Sequence, residues 1–488
     1  MTFLPAATPE SAGIRSADIL RFLERLAENE PYQEPHAFLL LRHGRCVAEG
    51  YFAPFGADTR HSLFSVSKSV VSAAVGFAVS EGLLSTDDLI ADFFPESLPP
   101  CPAPEFSRLK IHHLLSMATG QDGIGVHMTL RDIDSGVPEA FFRTPFLDEP
   151  GTTFRYSNAA TYMLSQLVTR LTGSDPIEYL TPRLFVPLGI EPPSSLRAPD
   201  GALPGYTGMR MTAREMAIYG QFYLQRGVWN GQRLLDESWF ARATAKQIDT
   251  ESSIGAEWSQ GYCCQFWRGT HDTYRFCGAH GQMCIISPDR ELICVLQSGY
   301  DSHVLQYVAD AFFSTIWDGM CDAPLPEDPD AQERLARTLD GLMLPTVSSN
   351  FSPLTSLLNG AVYDAPDGDG GDILSAGIRF SGGVCLLTLT CRGGAVVTLA
   401  SGMGRPMEAV STLADRWSIE PALKDLTQSY AWWDATRRLN IVARVVPTPT
   451  VLVLTLSFSG DDRLVLSLKS YRGQCDAGIT FTGLRRTL

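Results

Sequence analysis

Hydrophobic and polar positions along the chain fall into three regimes. Near the start, SADILRFLERLAE places apolar residues at helical spacing with Ser16 as the expected N-cap. The next segment, AFLLLRHGRCVAEGYF, alternates around a polar HGR turn, which predicts a β-hairpin over about residues 37–52. From Ser65 to Leu84 the run SVSKSVVSAAVGFAVSEGLL is apolar on nearly every face, so it predicts a helix enclosed by protein, with Gly82 ending it. Residues from about 85 to 200 carry helical segments, KIHHLLSMA and AATYMLSQLVTRLTG, between loops bearing Pro and Gly, and show little sign of strands. Two further helical patterns, TAREMAIYGQFYLQRG and DESWFARATAKQ, lead to strand-like runs GYCCQFW, TYRFCG, MCIISP and ELICVLQSG and then to an apolar helix, VLQYVADAFFSTIW.

The pattern changes after DAPLPEDP, residues 322–329, an acidic and Pro-rich stretch of the kind that links domains. Beyond it, GIRFSG, VCLLTLTC, AVVTLAS, LNIVARVV, VLVLTLSFSG, RLVLSLKSY and GITFTGL alternate at the spacing of an antiparallel sandwich or small barrel. The expected organisation is an α+β domain over residues 1–321, with a mostly helical insertion at about 85–200, then a linker over 322–329 and a β-rich domain over 330–488.

Composition narrows the function. The chain has 488 residues, enough for several domains, and 39 basic against 54 acidic side chains give a formal charge of −15. Such a protein repels polyanions, so nucleic acid is not an expected partner. No basic run exists to dock an anionic membrane, and the longest apolar stretch, Val70 to Val79, is too short to span one. The opening MTFLPAATPESAG shows neither the basic nor the apolar part of a secretory signal. Eleven cysteines without regular spacing suit a thiol-reducing cytoplasm. With no CxxC pair and no HExxH, no metal and no cofactor is expected.

Three short segments carry candidate chemistry. Ser65-Val66-Ser67-Lys68 opens the enclosed helix, where an offset of three residues puts hydroxyl and amine on one face. A desolvated lysine has a lowered pKa and can take the proton of a serine hydroxyl, whereas arginine stays protonated. Only five of the 39 basic residues are lysines, and one of them stands in the most apolar helix of the chain, where an unpaired ammonium is costly. Ser107-Arg108-Leu109-Lys110 has the same spacing but opens a polar segment, so it reads as solvated surface. Tyr156-Ser157-Asn158 is the only Tyr-x-Asn; a phenolate near an ammonium relays protons and the amide orients lysine or substrate, with a plain turn and helix cap as the alternative. Gly278-Ala279-His280-Gly281-Gln282 enters the strand MCIISP, where Gly281 would admit a substrate backbone, the N–H of Gln282 would be an oxyanion donor, and His280 would bond substrate or tyrosine or simply be structural.

Taken together, over about residues 8–320, these segments resemble the serine β-lactamase, penicillin-binding-protein and related esterase family. The resemblance implies an antiparallel sheet flanked by helices, an all-helical subdomain and an active site at their junction. It further implies Ser65, Lys68 and Tyr156 as the catalytic trio, with Asn158, His280 and Gly281 lining the site. β-Lactamases carry Lys-Thr-Gly where this chain has Ala279-His280-Gly281, so the likeness is nearer to members that cleave esters, D-amino-acid peptides or linear amides such as 6-aminohexanoate oligomers. No Glu-x-x-Leu-Asn segment and no Gly-x-Ser-x-Gly elbow is present.

The resulting expectation is a serine hydrolase that forms an acyl-enzyme on Ser65 from a small ester, amide or peptide. The alternatives are an acyltransferase using the same intermediate and a non-catalytic binding protein on the same fold. For the β-rich domain the open readings are a cover over the cleft and a surface for homo-oligomer formation. Its Trp432-Trp433 pair reads as core, and the aspartates of DAPDGDGGD, residues 364–372, read as a solvated turn rather than a calcium loop, since no closing glutamate follows.

Overall fold

A computed structural model describes residues 5–28, 31–122, 136–347, 352–366, 371–413, 417, 426–434, 437–472 and 478–486. The chain divides into two units, one running to residue 342 and the other comprising 343–488 together with the short segments 31–34 and 52–56.

The first unit is built on a six-stranded sheet. Its hairpin is β1 (Glu34–Arg42) and β2 (Arg45–Tyr51), paired antiparallel with a bulge between Leu40 and Leu41. A small sheet follows in the chain, made of β3 (His61–Ser62), β4 (Ser194–Ser195) and β5 (Met209–Met211), and then a two-residue ribbon of β6 (Val228–Trp229) and β7 (Gln232–Arg233). The main sheet resumes with β8 (Trp267–Arg268), β9 (Tyr274–Gly278), β10 (Gln282–Ser287) and β11 (Leu292–Gly299), giving the spatial order β2-β1-β11-β10-β9-β8.

Helices cover this sheet because their apolar residues have nowhere else to be buried. The early ones are α1 (Ser16–Ala27), the enclosed helix α2 (Ser67–Ser80), α3 (Ile111–Leu115) and α4 (Val137–Arg143). Next come α5 (Asn158–Thr172), α6 (Pro176–Leu180), α7 (Val186–Leu188), α8 (Ala213–Leu224), α9 (Glu237–Ala243), α10 (Ser302–Phe312) and α11 (Pro329–Asp340). As the pattern predicts, α2 is buried on every face, and Val70, Val71, Ala73, Ala74 and Val75 have no exposure at all. Gly82 ends it in the left-handed conformation. The helical insertion is present as α3 to α7 among the described residues.

Three local expectations are corrected. Ser16 is the first residue of α1 rather than its cap; its N–H and hydroxyl are held by the buried Glu10 carboxylate at 2.7 and 3.0 Å. GYCCQFW is not a strand before Trp267, because Gln265 adopts a left-handed φ of 70°. Its side-chain amide is spent on the helical subdomain, donating to Leu114 O and Leu115 O and accepting from Thr161 Oγ1. Residues 329–340 form α11 within the first unit, so the division falls after Leu342 and not at the Pro-rich stretch.

The second unit is a closed barrel with a short helix, α12 (Leu354–Leu357), ahead of its strands. They are β12 (Val362–Asp364), β13 (Ile373–Ser381), β14 (Val384–Cys391), β15 (Val396–Met403), β16 (Met407–Val410), β17 (Leu426–Trp433), β18 (Arg438–Val446), β19 (Val451–Ser459), β20 (Arg463–Tyr471) and β21 (Ile479–Arg485). Neighbours in the order β15-β14-β13-β12-β21-β20-β19-β18-β17 are joined in one sheet, and a parallel pairing of β15 with β17 at Gly402↔Tyr430 closes the ring, leaving β16 outside on β17. Of the two expected β architectures the barrel is the one formed. Strict alternation, as in the buried Cys385, Leu387, Leu389 and Cys391 of β14, fills the interior. Trp433 points inward and donates to Thr355 Oγ1 at 3.0 Å, while its neighbour Trp432 is half-buried and stacks on Tyr430. Asp364 is paired with Arg486, and residues 367–370 of the acidic loop lie outside the described residues.

Candidate active site

Ser65 sits in a single 3-10 turn, Phe64–Val66, that leads into α2, and it is partly open to solvent. Lys68, one turn on, is 1% exposed. Its Nζ lies 2.9 Å from Ser65 Oγ, 2.9 Å from Asn158 Oδ1 and 3.0 Å from the Tyr206 carbonyl. Burial alone drives the Lys68 amine well below the ordinary lysine range. For the neutral form that this shift favours, the geometry assigns the hydrogens. Carbonyl and amide oxygens only accept, so Asn158 and Tyr206 take the two N–H groups and the lone pair is left facing Ser65.

Tyr156 completes the cluster. It is half-buried just before α5, with its ring centroid 4.9 Å from Lys68 Nζ. Burial raises its pKa far above the ordinary phenol value, and a hydrogen bond with the Ser65 side chain opposes that shift only in part. Burial thus favours the phenol, a hydroxyl able to donate, over the phenolate expected from the sequence. Trp267 stacks on its ring at 6.0 Å and 16°. Asn158 is the first residue of α5, held there by Ser157, whose hydroxyl accepts from the Ala160 N–H at 3.1 Å.

These side chains open onto a cleft of about 600 Å³. Its lining includes Ser65, Tyr156, Ile254, Trp258, Trp267, Cys277, Gly278, Ala279, His280, Asp301 and Leu305. Gly278, at the end of β9, is needed there because a Cβ would meet the Leu63 carbonyl at 2.2 Å; this close approach sets β9 against the turn that carries Ser65. Phe64 and His280, with φ of 48° and 63°, are both left-handed and pack edge to face at 5.1 Å. Strained backbone of this kind persists where surrounding contacts hold it, and functional sites are a common place for it.

The expected residues do not all meet at the cleft. Ser65, Lys68, Tyr156 and Asn158 form one hydrogen-bonded group, and His280 lies on the wall. Gly281 and Gln282 are behind the wall. Gly281 has a φ of 83°, and its missing Cβ leaves room for Ser298 Oγ, 2.3 Å from where that atom would stand, rather than for a substrate. Gln282 has no exposure, and its side chain bonds Ser298 O at 2.7 Å and Ser298 N at 3.3 Å. Ala279, one residue beyond the end of β9, lines the cleft. Sequence reasoning also missed Tyr206, Trp258, Trp267 and Asp301; Tyr206 contributes a backbone carbonyl, which no side-chain pattern can announce. The look-alike Ser107 and Lys110 do not meet: Ser107 bonds Pro104 O and Lys110 pairs with Asp87 on the surface. Among the described residues no group of His, Cys, Asp and Glu is arranged to hold a metal, and no helix is long and apolar enough to cross a membrane.

Comparison with known proteins gives the family and the fold. The Beta-lactamase family profile matches residues 33–302, more than half of the chain. The 6-aminohexanoate-dimer hydrolase of Paenarthrobacter ureafaciens is 26% identical over 318 residues, which cover 60% of this chain and 80% of that protein. Among solved structures, a Bacillus anthracis protein assigned as a 6-aminohexanoate-dimer hydrolase superposes with a TM-score of 0.53 at 20% identity, covering 64% of this chain and 86% of the other. A penicillin-binding-protein homologue from Caulobacter crescentus gives 0.50 at 18% identity, covering 64% of this chain and all of that one. At these identities the two structures speak for the fold.

Proposed function

Because this chain belongs to the Beta-lactamase family, we propose that it is a serine hydrolase that opens linear amides or esters through an acyl-enzyme on Ser65. The observation that carries the reading is the Lys68 cradle, in which two pure acceptors orient the amine so that its lone pair faces the serine hydroxyl. Ser65 attacks the substrate carbonyl as its proton passes to Lys68. The ammonium so formed lies within cation–π range of Tyr156. Tyr156, kept protonated by burial, hands its proton to the leaving oxygen or nitrogen and regains one from Lys68. The N–H groups of Ser65 and of Ala279, which lines the cleft where Gln282 does not, hold the developing oxyanion. Water attacks the ester on Ser65, its proton leaves by the same route, and acid and free enzyme are released.

The cleft wall supports a substrate class. Among the described lining residues aromatic and aliphatic side chains dominate, the one carboxylate is Asp301, and there is no lysine or arginine. An apolar chain ending in an ammonium fits such a wall, and the carboxylate of a β-lactam does not. The relative named for 6-aminohexanoate dimers points the same way, since such a chain is a run of methylenes ending in an amine. The test is a fluorophosphonate label followed by a panel of p-nitrophenyl esters, ω-amino amides and a chromogenic cephalosporin. The expected outcome is labelling at Ser65 that Ser65→Ala abolishes, turnover of esters and amino amides above the cephalosporin, and a raised KM for amino amides alone in Asp301→Asn. Folded wild-type protein that takes no label, or that prefers the cephalosporin, removes the mechanism or the substrate class respectively.

A further inference from the structure

Two buried histidines take no part in this chemistry, yet one of them, His61, stands on the strand that delivers the nucleophile and the other, His36, packs against it. β3 runs directly into Leu63, Phe64 and Ser65 and pairs with β5 through His61↔Met211 and Ser62↔Arg210. The pairing extends one step beyond β3, where the Leu63 N–H donates to Met209 O at 2.9 Å. Three residues before Met209 is Tyr206, whose carbonyl takes a Lys68 hydrogen. The placement of β3 thus bears on both the nucleophile and the cradle of its base.

His61 has no exposure, and His36 of β1, 1% exposed, lies against it with ring centroids 5.0 Å apart. His36 Nδ1 is 2.8 Å from His61 Nε2, and His61 Nδ1 is 3.0 Å from Ser62 O. A carbonyl oxygen can only accept, so His61 carries its proton on Nδ1 and offers a bare Nε2; His36 then donates from its own Nδ1. The order of donation is His36 to His61 to the Ser62 carbonyl. A second proton on His61 would set one N–H against another. The surrounding charges oppose it too. Arg210 on β5 and His280 at the cleft both disfavour an imidazolium there, and burial, the larger effect, carries His61 down to about 4.

We propose that His36 and His61 are positioning residues, a hydrogen-bonded pair that holds His61 in one tautomer, clamps the Ser62 carbonyl and so fixes the strained turn presenting Ser65. The inference rests on the acyl-enzyme reading for its effect on rate, and on the hydrogen-bond geometry for the pair itself. The turn needs such a clamp because left-handed Phe64 is a strained conformation that neighbouring contacts must hold in place.

His36→Phe keeps the ring and removes the donor, whereas His36→Asn keeps an amide N–H where Nδ1 stood. With p-nitrophenyl acetate, His36→Phe is expected to lower kcat roughly 10- to 100-fold at unchanged KM, the size of loss that slight misplacement of a reacting group produces. Fluorophosphonate labelling should slow in parallel, and His36→Asn should recover most of both. A folded His36→Phe protein with wild-type kcat and labelling rate overturns the proposal. NMR of wild-type protein carrying 15N-labelled histidine reads the pair without relying on a variant's folding: both rings protonated on Nδ1, with His61 neutral through the ordinary histidine range, support it. An Nε2-protonated His61, or one titrating near 6.5, overturns it. If wild-type protein neither turns over ester nor takes the label, the acyl-enzyme reading falls, and the NMR result still decides the pair.

Discussion

At Lys68 the burial that readies the amine for catalysis also works against folding. The folded pKa lies well below 10.5, so between the two values the unfolded chain binds a proton that the folded chain does not. Stability therefore rises with pH across that window, is complete above the unfolded value and is lost as pH falls toward the folded one. Urea titrations of wild type and Lys68→Met at a series of pH values are expected to show the wild type gaining on the variant as pH climbs toward 10.5. A constant difference would mean that Lys68 is charged when folded. Turnover should follow the same group, with kcat/KM falling on the acid side as the amine protonates, and Lys68→Arg should be inactive at every pH because guanidinium keeps its proton. This residue was legible in the sequence, since a lysine in the one helix apolar on every face calls for a reason, and Lys110 with the same spacing on a polar segment does not. The partners of Lys68 were only half legible. Asn158 could be found from Tyr-x-Asn, but the Tyr206 carbonyl is 138 residues away in the chain and has no side-chain signature.

At the scale of elements, a buried ion pair holds part of the cleft wall. Arg275 of β9 and Glu257 are 2% and 4% exposed with Nη1 and Oε2 3.1 Å apart, and Arg275 Nη2 also donates to Glu257 O at 2.6 Å. The guanidinium lies 4.5 Å from the ring of Trp258, which lines the cleft. Removing one partner strands the other charge in protein. Glu257→Gln is thus expected to lose about 3–5 kcal/mol of stability, measured by chemical denaturation, and to raise KM through the loosened Trp258. A change within experimental error would place Arg275 in contact with water. Neither residue was singled out from the sequence, because a lone Glu and a lone Arg 18 positions apart carry no pattern. The strands and helices themselves were far more legible. The hairpin, α2, α8 and β9 to β11 all lie where periodicity put them, since repeated apolar positions sum over many residues. GYCCQFW misled because its apolar run is broken by a backbone turn at Gln265, whose side chain is used elsewhere.

Across the whole chain, the barrel draws on a residue far from it in sequence. Arg444 of β18 is 3% exposed and is bonded by both its Nε and Nη2 to Glu34, itself 6% exposed, with the Nη2 to Oε1 distance 2.6 Å. Residues 31–34 group with the barrel unit although they precede it by about three hundred positions. A polypeptide starting at Met343 lacks that carboxylate and leaves Arg444 buried without its counter-charge. It is expected to unfold more readily than the barrel in the full chain, and Glu34→Ala should reproduce the deficit, about 3–5 kcal/mol, in the barrel's own unfolding transition followed by hydrogen exchange. Equal protection in all three proteins would show that Arg444 finds another partner.

Taken alone, the sequence determined the α+β character, the β-rich C-terminal region and the Ser65–Lys68 pair, because each rests on local periodicity or on residues one helical turn apart. Tertiary structure alone decided that the β-rich region closes into a barrel, that Ala279 and not Gln282 reaches the cleft, that burial weighs on Tyr156, and that the first unit ends beyond the Pro-rich stretch. Those outcomes depend on desolvation and on contacts between residues tens to hundreds of positions apart, and a one-dimensional pattern contains neither.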